Sequence, residues 1–136
     1  MLTIHHYNVA VHDLEASVRD YADRFGMQRV GGIQHNDIGN FDAQAMGYGE
    51  QAIVRLITPS ARDAPVAKFM AERANDLNPH GEGFYMVAFE CDDVDAFCAQ
   101  VRDGGGRIIR NEGASNAWVH PLSSHFVFME VVPRRS

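Results

Sequence analysis

Cysteine is scarce in this chain. Cys91 and Cys98 are the only two among 136 residues. One falls at the end of an expected strand and the other on the apolar stripe of the helix that follows. Two reduced, packed thiols are therefore expected rather than a disulfide or a catalytic pair. Positive charge is also short. Twelve Lys and Arg against eighteen Asp and Glu leave a formal net charge of −6. That balance argues against a nucleic-acid partner and weighs against a polyanionic ligand. No apolar run is long enough to span a bilayer, and Met1-Leu2-Thr3-Ile4 leads into a strand without the pattern of a secretory leader. The expectation is a cytoplasmic protein with no membrane partner. A phosphate-cradling loop is missing as well. Gly104-Gly105-Gly106 comes after a helix rather than before one, so it reads as a helix stop and a turn.

What is present is a unit that occurs twice. From Ile4 to Gly26 the sequence reads IHHYNVAVHDLEASVRDYADRFG. The β-branched and aromatic run through Val11 suits a strand. Asp13 stands at a helix N-cap, Glu15 suits the first turn, and Leu14, Val18, Tyr21, Ala22 and Phe25 recur at helical spacing. Gly26 is placed to end the helix. Eighty positions later Phe84 to Gly106 repeats the pattern. His6 falls on Met86, Asp13 on Asp93, Ala16 on Ala96, Asp23 on Asp103 and Gly26 on Gly106, with matching apolar stripes. That correspondence points to a duplicated βα module.

Each copy continues with three strands. In the first they are expected over Met27–Gln34 (with a bulge at Gly31-Gly32), Asn40–Met46 and Gln51–Thr58, joined by a turn at Asn36–Asn40 and a hairpin turn at Gly47–Glu50. In Asn40–Met46, Asn40, Asp42 and Gln44 alternate with Phe41, Ala43 and Ala45, which gives a strand with one polar face. In the second copy strands are expected near Arg107–Arg110, Ala117–His120 and His125–Val132. Between the copies, Pro59 to Gly83 is a connector with a short helix opening at Asp63-Ala64-Pro65. The expected fold class is α+β: two tandem βαβββ modules (about 1–58 and 84–136, linker 59–83) whose sheets curve into a cup with helices outside, forming one domain. The fourth strands align, IVRLI over FMEVV, so Arg55 and Glu130 hold equivalent places. Each is a charge in an apolar strand and needs a partner.

The whole pattern resembles the vicinal oxygen chelate superfamily, which includes glyoxalase I, extradiol dioxygenases and bleomycin-sequestering resistance proteins. Local motifs resemble its methylmalonyl-CoA epimerase branch. His6-Tyr7-Asn8-Val9-Ala10-Val11-His12-Asp13-Leu14-Glu15 is similar to that family's H-x-G-I-A-V-x-D-L-E. Asp63-Ala-Pro-Val-Ala-Lys-Phe69 is similar to D-S-P-I-A-K-F, and Val87-Ala-Phe-Glu-Cys-Asp-Asp-Val94 to I-A-F-E-V-D-D-I. His120-Pro-Leu-Ser-Ser-His-Phe-Val-Phe-Met-Glu130 is similar to H-P-K-S-x-G-G-V-L-I-E.

The resemblance implies four metal-ligand positions, which fall on His6, Arg55, Met86 and Glu130. His6 and Glu130 are residual ligands. Arg55 has no free lone pair and stays protonated, and Met86 is a soft thioether unsuited to Zn, Mg, Mn or Co. The expectation is that no cofactor is used and a divalent metal is disfavoured, with an Arg55–Glu130 ion pair in its place.

The resemblance also implies proton transfer on a small carbonyl or acyl-thioester substrate, with Glu130 as base, Arg55 holding an oxyanion or carboxylate, and Asp42 as the second carboxylate. His6, Asn8, Gln44, Met86, Trp118, His120 and Phe128 are the expected substrate-binding residues. The alternatives are a metal-free small-molecule binding protein of the antibiotic-resistance type and a metal-dependent lyase like glyoxalase I. A small-molecule ligand and a homodimer follow from the resemblance, not from any residue.

Overall fold

The computed structural model describes residues 1–134. Its elements, in chain order, are β1 (Leu2–Ala10), α1 (Leu14–Phe25), β2 (Gln28–Asn36), β3 (Phe41–Tyr48), β4 (Gln51–Pro59), α2 (Pro65–Arg73), β5 (Gly83–Cys91), α3 (Val94–Asp103), β6 (Ile108–Ile109), β7 (Ala117–Val119) and β8 (Met129–Pro133), with a 3-10 turn at Pro121–Ser123. This is the α+β order βαβββ, twice. The chain divides into two compact units: Tyr7–Tyr85, and Met1–His6 with Met86 onward. The division does not follow the ends of the repeat. The connector with α2 belongs to the first unit, and residues 1–6 belong to the second.

Local chemistry sets the helix ends as the sequence implies. Asp13 adopts an extended conformation and its carboxylate accepts from Ala16 N at 3.0 Å. Asp93 does the same for Ala96 N at 2.9 Å. Each cap satisfies a backbone donor that the first helical turn leaves open, which is worth about 1 kcal/mol. At the far end Gly26 takes the left-handed conformation, φ 69°, which only glycine adopts without strain. The second copy departs here. Gly104 ends α3 at φ −82° and the left-handed residue is Gly105, φ 87°. The expected equivalence of Gly26 with Gly106 is therefore off by one residue.

In the first unit the strand order is β2-β3-β4-β1, with β1 and β4 parallel and the other pairs antiparallel. The two faces are separable by register, because directly paired residues point the same way and neighbours along a strand point oppositely. Val54, Leu56 and Met46 pack with Val11 and Val18, flanked by Tyr7, Val9, Leu14 and Tyr21, under α1. Ala10, Ile57 and Ala43 face the other way and are covered by Ala64, Val66 and Met70 of the α2 segment. Burying Val66 and Met70 here ties α2 to this unit; burial of such side chains contributes roughly 1.5–3 kcal/mol each. The β2 register shifts between Val30 and Gln34, and Gly31 has φ 72°, so the expected bulge is present.

In the second unit β5-β8-β7-β6 lie in that order, β5 and β8 parallel, the rest antiparallel. Cys91, Val94, Cys98, Ala117 and Val131 form its core with Leu2, Phe97 and Ile108. Both cysteines are free and buried. The last strand corrects the expected boundaries. β8 starts at Met129, not His125. Pro121–Ser123 forms a 3-10 turn, and His125 and Phe126 have φ of 54° and 67°. An apolar run with aromatic residues looked like a strand, but Pro121 and the turn closed by Phe126 N donating to Pro121 O at 2.8 Å prevail.

Candidate active site

Glu130 sits on β8 opposite Trp118 of β7 and Ala88 of β5. Its neighbours Met129 and Val131 face the α3 side, where Val131 is fully buried. Glu130 therefore points to the face that α3 does not cover, and it is half-buried there. Met86, two residues before Ala88, falls on this same face by alternation. The Glu130 carboxylate is oriented from its own unit: Asn116 Nδ2 donates to Oε2 at 2.9 Å. Asn116 was not among the expected site residues. The alternation Asn116, Trp118, His120 through β7 and the residues that flank it was the signal that would have found it. His120 ends that row, and its Nδ1 accepts from Leu122 N at 3.1 Å, capping the 3-10 turn. Phe128 lies at the edge of the ladder, where its carbonyl accepts from Val87 N at 3.0 Å.

In the first unit Arg55 pairs with Asn8 of β1 and Ala45 of β3. These three share a face, opposite to α1. Asn8 is 1% exposed. Arg55 opposite Asn8 and Glu130 opposite Ala88 confirm that the two charges hold equivalent places, because Asn8 and Ala88 are 80 positions apart, as in the repeat. His6, in the second unit, meets the ring of His5 edge-on with centroids 4.9 Å apart and Nδ1 atoms 2.6 Å apart.

Two expected site residues face elsewhere. Asp42 pairs with Thr58 and Gln44 with Leu56, which places both on the α1 face and away from Asn8 and Arg55. Asp42 accepts from His35 Nδ1 at 2.8 Å, and His35 Nε2 lies 3.1 Å from Asp37. Gln44 is fully buried. Its amide nitrogen donates to Gly31 O at 3.0 Å and Ala45 O at 2.9 Å, and its oxygen accepts from Arg29 Nη1 at 2.9 Å. Arg29 Nη2 reaches Glu15 at 2.7 Å. Gln44 thus holds the β2 bulge and links it to α1. The polar face of β3 was read correctly as polar. Its direction was not, because alternation alone does not say which face a helix will cover.

Among the described residues no group of three or more His, Cys, Asp or Glu side chains is placed to hold a metal ion.

Two βαβββ modules, each carrying one charged residue at the same register of its fourth strand, define a class of paired-module α+β proteins. The chain belongs to the Glyoxalase/Bleomycin resistance protein/Dioxygenase superfamily, whose family model matches residues 5–120. It is similar to the methylmalonyl-CoA epimerase of Mycobacterium tuberculosis, with 25% identity, a TM-score of 0.81, and coverage of 98% of this chain and 88% of that one. It is also similar to a Streptomyces coelicolor methylmalonyl-CoA epimerase in complex with 2-nitronate-propionyl-CoA, with 28% identity, a TM-score of 0.79 and full coverage of both chains. A curated relative, a probable lactoylglutathione lyase of Synechocystis, is 26% identical over 108 residues, 79% of this chain and 74% of that protein. No helix among the described residues is long and apolar enough to cross a membrane.

Proposed function

We propose that the chain is an epimerase- or isomerase-like enzyme that moves a proton at the α-carbon of a small carbonyl or acyl-thioester compound without the usual divalent metal. The observation that carries this reading is Glu130: a half-buried carboxylate on the face of its sheet that α3 does not cover, with Oε2 held by Asn116. The likeness to methylmalonyl-CoA epimerases supports the substrate class. In the proposed step the α C–H bond breaks, its proton passes to Glu130, and the electron pair moves onto the carbonyl oxygen as an enolate. Arg55, at the equivalent register of the first unit, is proposed as an anion-holding residue. With Asp42 turned to the α1 face, Glu130 is the one base: returning the proton to the same face gives exchange with solvent, and inversion requires the planar enolate to turn its other face to Glu130 before it is reprotonated.

The test is exchange of substrate α-protons with deuterated water, using propionyl and methylmalonyl thioesters. Wild type exchanges, Glu130→Gln exchanges at least about a hundredfold more slowly, and chelator changes neither rate. Exchange that survives Glu130→Gln, or that chelator abolishes, rejects the reading. The second outcome would favour a metal-dependent lyase, the reading for which the Synechocystis relative speaks.

A further inference from the structure

The repeat builds one cavity twice. In the first unit a cavity of about 440 Å³ lies between α1 and the end of the connector, and its lining includes Ser17, Asp20, Tyr21, Arg24, Phe25 and Glu82. In the second a cavity of about 550 Å³ lies beside α3, and its lining includes Phe97, Gln100, Val101, Gly104, Gly105 and Leu2. Each residue of the second set stands 80 positions from one of the first, the offset of the repeat. A gap at this place is therefore a product of the fold. What the fold does not dictate is the lining. Val101 answers to Tyr21, the bare backbone of Gly105 to Phe25, and Leu2 to Glu82. Where the second cavity is aliphatic or bare, the first carries two aromatic rings and a carboxylate.

Glu82 is held in place. Asn78 Oδ1 accepts from its backbone N at 3.0 Å, and Asn78 Nδ2 donates to its backbone O at 2.8 Å. Its Oε2 accepts from His12 N at 2.8 Å, and the His12 ring stacks on His80 with centroids 3.7 Å apart. A neutral amide would accept the same bond from His12 N, so that bond does not account for a charge. Glu82 is half-buried, and among the described residues no Lys or Arg pairs with it. Arg24, the cation of this lining, is turned to Asp20 at 3.5 Å. The aromatic wall extends beyond the cavity itself. Tyr21 meets Phe25 edge-on at 5.1 Å and packs with Tyr7, which stacks on Phe84 at 6.2 Å. The field of Glu82 reaches this wall: burial, then Tyr7 and Glu82, hold the Tyr21 phenol above its ordinary value.

We propose that this cavity is a second binding site, made without Glu130, which takes a small organic ammonium ion, its charge against Glu82 and its alkyl groups against Tyr21 and Phe25. Aromatic rings present a negative face to a cation, and a fixed carboxylate with no basic partner supplies the counter-charge. The volume suits a small organic ligand, since such pockets span about 300–1,000 Å³. A neutral molecule of the same shape gains the apolar contact alone.

The experiment compares choline with its neutral isostere 3,3-dimethyl-1-butanol, binding to the full chain followed by calorimetry at low salt. Wild type binds choline at least about tenfold more tightly than the alcohol. Glu82→Gln keeps an acceptor for His12 N and loses that preference. Phe25→Leu, at a ring that is 53% exposed, keeps the urea midpoint and weakens choline roughly two- to fivefold; it carries the test should Glu82→Gln fail to fold. Glu130→Gln leaves choline binding within about twofold, so failure of the proton-transfer reading does not touch this one. A wild type that binds neither probe, or both equally, overturns the proposal. So does a preference that survives Glu82→Gln, an unchanged affinity in Phe25→Leu, or loss of choline binding in Glu130→Gln.

Discussion

Replacing Gln44 by Leu tests whether this residue holds the fold or serves the ligand. The side chain is fully buried on the α1 face and makes three hydrogen bonds, to Gly31 O, Ala45 O and from Arg29. Leucine is close in volume, so the cavity cost is small. Three bonds at about 1 kcal/mol each give a loss of roughly 3 kcal/mol, with a further cost for the two carbonyls left without a donor. The Arg29 bond counts toward the low end, because Arg29 is 43% exposed and keeps Glu15. Greater apolar burial by leucine offsets about 1 kcal/mol. The net expectation is a destabilisation of about 2–3 kcal/mol. With a urea slope of about 1.5–2 kcal/mol per molar for a chain of this size, the midpoint should drop by roughly 1–2 M. Proton exchange per folded molecule should stay within about twofold of wild type. A midpoint within experimental error of wild type would refute the anchoring argument. An undisturbed midpoint with lost exchange would show that Gln44 serves the ligand after all.

Three further outcomes follow from the same geometry. Asp42→Asn should leave the exchange rate within about twofold, because Asp42 lies on the α1 face with His35; a hundredfold loss would restore it as a catalytic acid. Gly81→Ala should cost about 2 kcal/mol or more in urea unfolding, since Gly81 has φ +64° and an added Cβ would fall 1.7 Å from Met70 O of α2; a neutral result would show that the connector moves freely off α2. Burial holds the Tyr85 phenol above its ordinary value near 10, and burial, then Tyr7 and Glu82, do so for Tyr21. Above pH 10 the unfolded chain loses these protons first, so folding stability falls as pH rises through the alkaline range. Tyr85→Phe should flatten that fall, and an unchanged slope in thermal melts between pH 9.5 and 11 would contradict it.

Much of the fold was legible because its signals are local. Asp13 and Asp93 as caps, Gly26 as a left-handed stop and Pro65 at the head of α2 each act through a few neighbouring backbone groups. The equivalence of Arg55 and Glu130 was legible too, because a duplicated sequence carries its register with it. What failed depends on contacts far apart in sequence. Asp42 and Gln44 alternate with apolar residues as a strand should, yet the helix that covers one face is chosen by Leu56, Val54 and Val18, not by β3 itself. The His125–Phe128 stretch has strand composition, but the proline turn before it and two positive φ angles remove it from β8.

The two modules have diverged in how they use one shared position. In the first, Arg55 stands between Asn8 and Ala45, a small amide and a methyl. In the second, Glu130 stands between Ala88 and Trp118 and is held by Asn116. A bulky aromatic beside the carboxylate and small groups beside the guanidinium are opposite choices. The indole gives the carboxylate one apolar wall. Small neighbours leave a guanidinium room to meet an anion in the plane it prefers. Had the repeat served only to build a sheet, the two positions would need no opposite charges and no such opposite surroundings. Their divergence is the expected mark of two modules specialised for different chemistry, a carboxylate in one and a guanidinium in the other. Exchanging the neighbours, Ala45→Trp with Trp118→Ala, is the perturbation that tests it. Proton exchange should fall at least tenfold if the surroundings set the chemistry. A rate that follows only the loss of stability would show that the two neighbours merely fill space.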